Sequence, residues 1–84
     1  SGMARDAAGT LYVGNFDNGT ISKVSAVGAV TANHVTGVSG VRGVAVGADG
    51  FVYATRDNGV VSRAPVGGGA ATTFATIGGG GTLA

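Results

Sequence analysis

The chain has 84 residues, of which 11% are charged, with a net charge of +1, a single histidine and no cysteine. That length suits one small domain, marginal unless something outside the single core adds to it. The balance excludes a disulfide framework, a basic stripe for nucleic acid and a multi-histidine metal site within one chain.

The apolar runs are too short for a membrane-spanning helix, and Ser1-Gly2-Met3-Ala4-Arg5 does not read as a signal peptide. Nothing points to a compartment. Eighteen glycines fall between short runs of Val, Thr and Ala. Glycine-rich turns between β-branched runs read as all-β, and no stretch has helical spacing.

In chain order, the first half predicts strands over Gly2–Arg5, Leu11–Gly14, Thr20–Val24 and Val30–Val35. The second half predicts Gly43–Val46, Phe51–Arg56, Val60–Ala64 and Ala70–Thr76. Asn18-Gly19, Asp49-Gly50 and Asn58-Gly59 supply the turns, each a residue tolerant of positive φ followed by glycine. Pro65 falls at a strand end, where its missing N–H costs least.

The two halves repeat each other. Gly2-Met3-Ala4-Arg5-Asp6-Ala7-Ala8-Gly9 aligns with Gly43-Val44-Ala45-Val46-Gly47-Ala48-Asp49-Gly50, and Leu11-Tyr12-Val13 with Val52-Tyr53-Ala54. Asp17-Asn18-Gly19-Thr20-Ile21-Ser22-Lys23 aligns with Asp57-Asn58-Gly59-Val60-Val61-Ser62-Arg63. The offset falls from 41 at Gly9/Gly50 to 40 at Asn18/Asn58, which places one inserted residue near Asn15. The end also leads into the beginning: Gly81-Thr82-Leu83-Ala84 followed by Ser1-Gly2-Met3 matches Val38-Ser39-Gly40-Val41-Arg42-Gly43-Val44. Four antiparallel strands per unit of about 42 residues are the blade of a β-propeller, so residues 1–40 form a first blade and 41–84 a second with the closing connector.

These residues resemble the NHL repeat and, more loosely, six-bladed propellers of the SMP-30/gluconolactonase type. The resemblance rests on Gly43-Val44-Ala45-Val46, Asp49-Gly50, Phe51-Val52-Tyr53 and Asp57-Asn58-Gly59-Val60-Val61, and on their counterparts in the first half. Two positions depart from the NHL pattern. Gly47 stands where Asp is usual, although Asp6 keeps it, and Thr20 and Val60 stand where Arg is usual. The resemblance implies six blades, hence a head-to-tail cyclic homotrimer of two-blade chains, with dimers and tetramers as the other closed rings. The gluconolactonase-type metal site uses a glutamate, and this chain has none, so no metal and no other cofactor is expected.

Asp17, Asn18, Asp57 and Asn58 lie in the loops joining second and third strands, with Arg42 and Arg56 close by in sequence. The resemblance places these loops on the face where propellers bind ligands. Carboxylate and amide oxygens there suit sugar hydroxyls or a hard cation, and equally need no ligand as turn formers. Arg42, just before the innermost strand, is expected solvated at a channel mouth, with Ser1 as its counterpart. Tyr12 and Tyr53 are expected in inter-blade packing with their hydroxyls satisfied locally. His34 is expected on the surface of an outermost strand. Gly78–Gly81 reads as a flexible connector, since no Lys-Ser/Thr follows as a phosphate loop requires.

No catalytic constellation is visible within one chain. The expected function is a non-enzymatic self-assembling module, either a natural binding scaffold or an excised or engineered two-blade unit whose partner is itself. The alternatives are a ligand-binding or gluconolactonase-like enzyme with its site at a trimer axis, and a fragment of a longer propeller.

Overall fold

The computed structural model of the chain describes residues 2–78. The Ser1 counterpart of Arg42 and most of the glycine connector, from residue 79 onward, lie outside the described residues. Two twisted sheets stack face to face. The first holds β1 (Met3–Arg5), β2 (Leu11–Asn15), β3 (Thr20–Val24) and β4 (Val30–Thr36). The second holds β5 (Val41–Val46), β6 (Phe51–Arg56), β7 (Val60–Pro65) and β9 (Thr72–Thr76). Each is an antiparallel meander in sequence order. The strands match the expected ones to within two residues at their ends, with Pro65 closing β7, except at the start of the last.

There, the expected strand over Ala70–Thr76 is divided. Gly69–Ala70 forms a separate short strand, β8, which leaves its own sheet and pairs in parallel with β4 of the first. Val35 faces Gly69, Thr36 faces Ala70, and Ala71 N donates to Thr36 O at 2.9 Å. The first sheet therefore has the order β1-β2-β3-β4-β8 and the second β5-β6-β7-β9, so that among the described residues β9 has no strand on its outer side.

The turns fall where Asn18-Gly19, Asp49-Gly50 and Asn58-Gly59 place them. Only the glycine takes the left-handed region, at φ +65° for Gly19, +86° for Gly50 and +79° for Gly59. The β6–β7 loop is the three residues Asp57–Gly59, closed by Gly59 N on Arg56 O at 3.1 Å, the form in which a turn ends in one left-handed residue. The β2–β3 loop is one residue longer, Phe16–Gly19, and Phe16 is the insertion expected near Asn15.

Strand alternation decides the core. Tyr12, Ile21 and Val35 project from the first sheet onto Val44, Val52, Ala54 and Ala64 of the second, and all are buried. Val38 and Val41, from the connector and the start of β5, are fully buried at its end. Gly14 sets the spacing: a Cβ there would lie 3.1 Å from a Cγ of both Val41 and Val44. Ser62 is the buried polar counterpart of Ser22, whose hydroxyl accepts from Asn15 Nδ2 at 2.9 Å.

Candidate functional site

The six candidate residues gather at one end of the molecule, around the connector between the sheets. Val38 N donates to Gly19 O at 3.0 Å, bringing the 16–19 loop onto the connector. Asp57 N donates to Gly40 O at 2.8 Å, bringing the 57–59 loop to it from the other sheet. The Asp57 carboxylate lies over Gly40, whose φ is +72° and where a Cβ would overlap Asp57 Oδ1.

Their side chains are less available than their placement suggests. Asn58 Oδ1 accepts from Val60 N at 3.1 Å, the usual work of an Asn in a turn. Arg56 donates from Nε to Ser39 O at 2.8 Å and from Nη2 to Ser39 Oγ at 3.0 Å, so its guanidinium holds the connector. Arg42 lies within β5 rather than before it, with its guanidinium carbon 5.7 Å from the Phe16 ring centre. Asp17 and Asn18 are exposed at the loop tip. Among the described residues, no three His, Cys, Asp or Glu side chains are grouped to hold a metal ion.

At the other end, the loops after β1 and β5 flank an open groove of about 460 Å³ over Val46 and Val66. Its acid, Asp6, is already engaged: Oδ1 accepts from Ala8 N at 3.0 Å and Thr10 N at 2.9 Å, and Oδ2 from the Tyr12 hydroxyl at 3.3 Å. Burial, and after it the Asp6 charge, pushes the Tyr12 phenol above its ordinary value. The second half reaches the same result with a different residue. Asp49 Oδ2 accepts from the Tyr53 hydroxyl and Oδ1 from Phe51 N at 3.2 Å. A Cβ on Gly47 would lie 2.5 Å from Asp49 Oδ1, so Asp49 fills the space that a side chain at the Asp6-equivalent position would need. The Tyr53 hydrogen bond holds the Asp49 carboxyl below the usual carboxylate range.

Both tyrosine hydroxyls are thus satisfied locally, as expected, but the two rings meet different surroundings. Tyr12 is buried between the sheets, beside His34 at 6.1 Å between ring centres. His34 is not a surface residue. It is half-buried, and its Nε2 lies 2.7 Å from Val66 O in the second sheet; a carbonyl only accepts, so Nε2 carries the proton. Sequence reasoning missed this because the contact joins residues 32 apart across two sheets.

The equivalent face of the second sheet is open. Tyr53, Arg63 and Phe74 occupy the positions of Tyr12, Lys23 and His34. Arg63 lies 4.2 Å from the Phe51 ring centre and 4.7 Å from that of Phe74, and Phe74 meets Tyr53 edge-on at 5.3 Å. Nη1 of Arg63 donates to the Tyr53 hydroxyl at 3.3 Å. Phe74 is nevertheless 53% exposed. Near this face, the buried Thr55 Oγ1 has no hydrogen-bond partner among the described residues. The chain matches no family model and no curated protein.

Proposed function

We propose that this chain is a self-assembling structural module: two propeller blades of the NHL-like kind that join head to tail with further copies of themselves. The observation that carries this reading is a mismatch in burial between repeat-equivalent surfaces. Inside the chain, the Tyr12 face of the first sheet is covered by Val44, Val52, Ala54, Ser62 and Ala64 of the second. Their counterparts Met3, Leu11, Val13, Ser22 and Val24 form the outer face of the first sheet. Met3 is 65% exposed, against 6% for Val44.

Each chain thus offers one unused copy of each half of an interface that it already makes internally. A surface that pairs with a different surface of the next copy builds rings when the rotation closes. Single exposed apolar residues are ordinary, whereas two whole sheet faces mark an interaction surface. With six blades, as the NHL resemblance implies, the ring holds three chains. The engagement of Asp6, Arg56, Asn58 and His34 in holding the fold favours a scaffold over an enzyme.

Native mass spectrometry, with light scattering behind size exclusion, tests the reading. Three copies are expected. Two or four copies would keep self-assembly and change the number of blades. A stable monomer at micromolar concentration would overturn it, and hydrolysis of lactones or phosphodiesters with a divalent metal would overturn the non-enzymatic half.

A further inference from the structure

Resting on that self-assembly reading, the geometry points to a definite joint between copies: the open face of the second sheet docks on the outer face of the first sheet of the next copy, and that copy's 25–29 turn adds Ala29-Val30 as a short parallel strand along β9.

The argument continues the interface between the two sheets by one more step of the repeat. Within the chain, the turn after β7 reaches across to β4 and ends in β8, where Gly69 and Ala70 face Val35 and Thr36. The turn after β3 opens in the same way, although Ala29 and Val30 then stay in their own sheet, with Ser25 N donating to Ala29 O at 2.8 Å and Val30 facing Val24. Gly28 N donates to Ser25 O at 2.9 Å, as Gly68 N does to Pro65 O at 2.9 Å. The glycines share their conformation, at φ +89° and +97°. Only one of them has something to touch. A Cβ on Gly68 would lie 2.6 Å from His34 O on β4, whereas one on Gly28 would meet no described residue within 4 Å.

The receiving edge matches as well. Ile21 faces Val35 on β4, and Val61 faces Ala75 on β9, so Ala75 and Thr76 are the counterparts of Val35 and Thr36. β4 carries β8 on its outer side, and among the described residues no strand lies on the same side of β9. An open strand edge presents unpaired N–H and C=O groups and accepts a further strand. Exposed apolar side chains surround the vacant joint: Val27 at 92%, Val30 at 67% and Phe74 at 53%. The joints differ in two respects. Gly69-Ala70 have left β7, whereas Ala29-Val30 close the hairpin of their own sheet and would meet β9 from there. His34 fastens the internal one to Val66 O, and Phe74 has no such bond to give, so the joint between copies relies on strand addition and apolar contact.

Paired cysteines test this in the cysteine-free full chain. Thr36→Cys with Ala70→Cys places two thiols on facing residues of the internal joint, a separation that suits a disulfide. Val30→Cys with Thr76→Cys places them at the equivalent positions of neighbouring copies. On mild oxidation the first variant closes within the chain, and the second gives covalent multimers on a non-reducing denaturing gel. The second readout mixes Met3→Asp with Phe74→Asp, both at exposed sites, with circular dichroism checking that each variant folds. Each variant alone loses assembly. The mixture forms pairs that stop at two chains, because each partner keeps one working face. A wild-type monomer overturns the self-assembly reading and the joint with it. If the wild type assembles but the internal cysteines alone join, or both aspartate variants still assemble, only the joint is overturned. If the internal pair does not close, the mixing result decides.

Discussion

Replacing Gly14 by alanine probes how closely the two sheets approach. The added methyl would sit 3.1 Å from a Cγ of Val41 and of Val44, about half an ångström inside ordinary carbon contact. Neither valine has room to retreat, since Val41 is fully buried, Val44 is 6% exposed, and β-branched side chains are stiff. Overpacking of this kind costs about 1–3 kcal/mol. Gly14 is not in the left-handed region, so alanine also recovers roughly 0.5–1 kcal/mol of backbone entropy within the strand. The net expectation is a loss of about 0.5–2 kcal/mol. Val44→Ala alone removes buried methyls at ~0.8 kcal/mol each, with a further cavity cost. Combined, the new methyl enters the space that the valine has left. Gly14→Ala/Val44→Ala is therefore less destabilised than the sum of the single changes, by about 0.5 kcal/mol or more. Urea unfolding at fixed protomer concentration reads this as midpoint shifts at constant slope. A Gly14→Ala protein as stable as the wild type, or strictly additive changes, would refute the close approach.

Gly40→Ala forces a left-handed alanine against Asp57 Oδ1 and is expected to lower stability by about 1–3 kcal/mol, with Asp57→Ala returning part of the loss in thermal unfolding. The lowered pKa of Asp49 contributes stability that is present above about pH 4, the range of an unfolded aspartate, and is lost as pH falls through the lower folded value. Asp49→Asn should flatten that acid limb, and an unchanged acid limb in a denaturant series at stepped pH would refute the assignment. Tyr12 has the opposite sense: its raised pKa means stability declines as pH rises above about 10, and Tyr12→Phe should reduce that decline.

Much of the fold was legible in the sequence because its causes are local. Short β-branched runs between glycines marked the strands, and Asp-Gly and Asn-Gly marked the turns. The change of offset from 41 to 40 placed one inserted residue near Asn15, and the longer loop shows it to be Phe16. The unexpected features depend on contacts between the sheets. Asn33 takes φ +55° within β4, where pairing shifts between Ile21 and Lys23, and no turn signal there announces it. β8 leaves its sheet because β4 has an edge to fill, which the run Gly67-Gly68-Gly69-Ala70 does not reveal by itself. Arg56 looked like a residue for a ligand, and it turns to Ser39 because the connector crosses beside it. The repeat alignment put Asp17, Asn18, Asp57 and Asn58 in corresponding loops, but could not say which side chains were already occupied there.

The exchange between Asp6 and Asp49 bears on how this repeat tolerates change. A carboxylate under each tyrosine hydroxyl is the retained property, and the position supplying it is not. Restoring the aspartate at 47 by Gly47→Asp would place a second negative group beside the first and crowd the one hydroxyl that they share. Asp49→Gly alone would leave the Tyr53 hydroxyl without its carboxylate. The two positions therefore behave as one unit: each substitution is harmful in the background where the other is absent, and the pair changes only together.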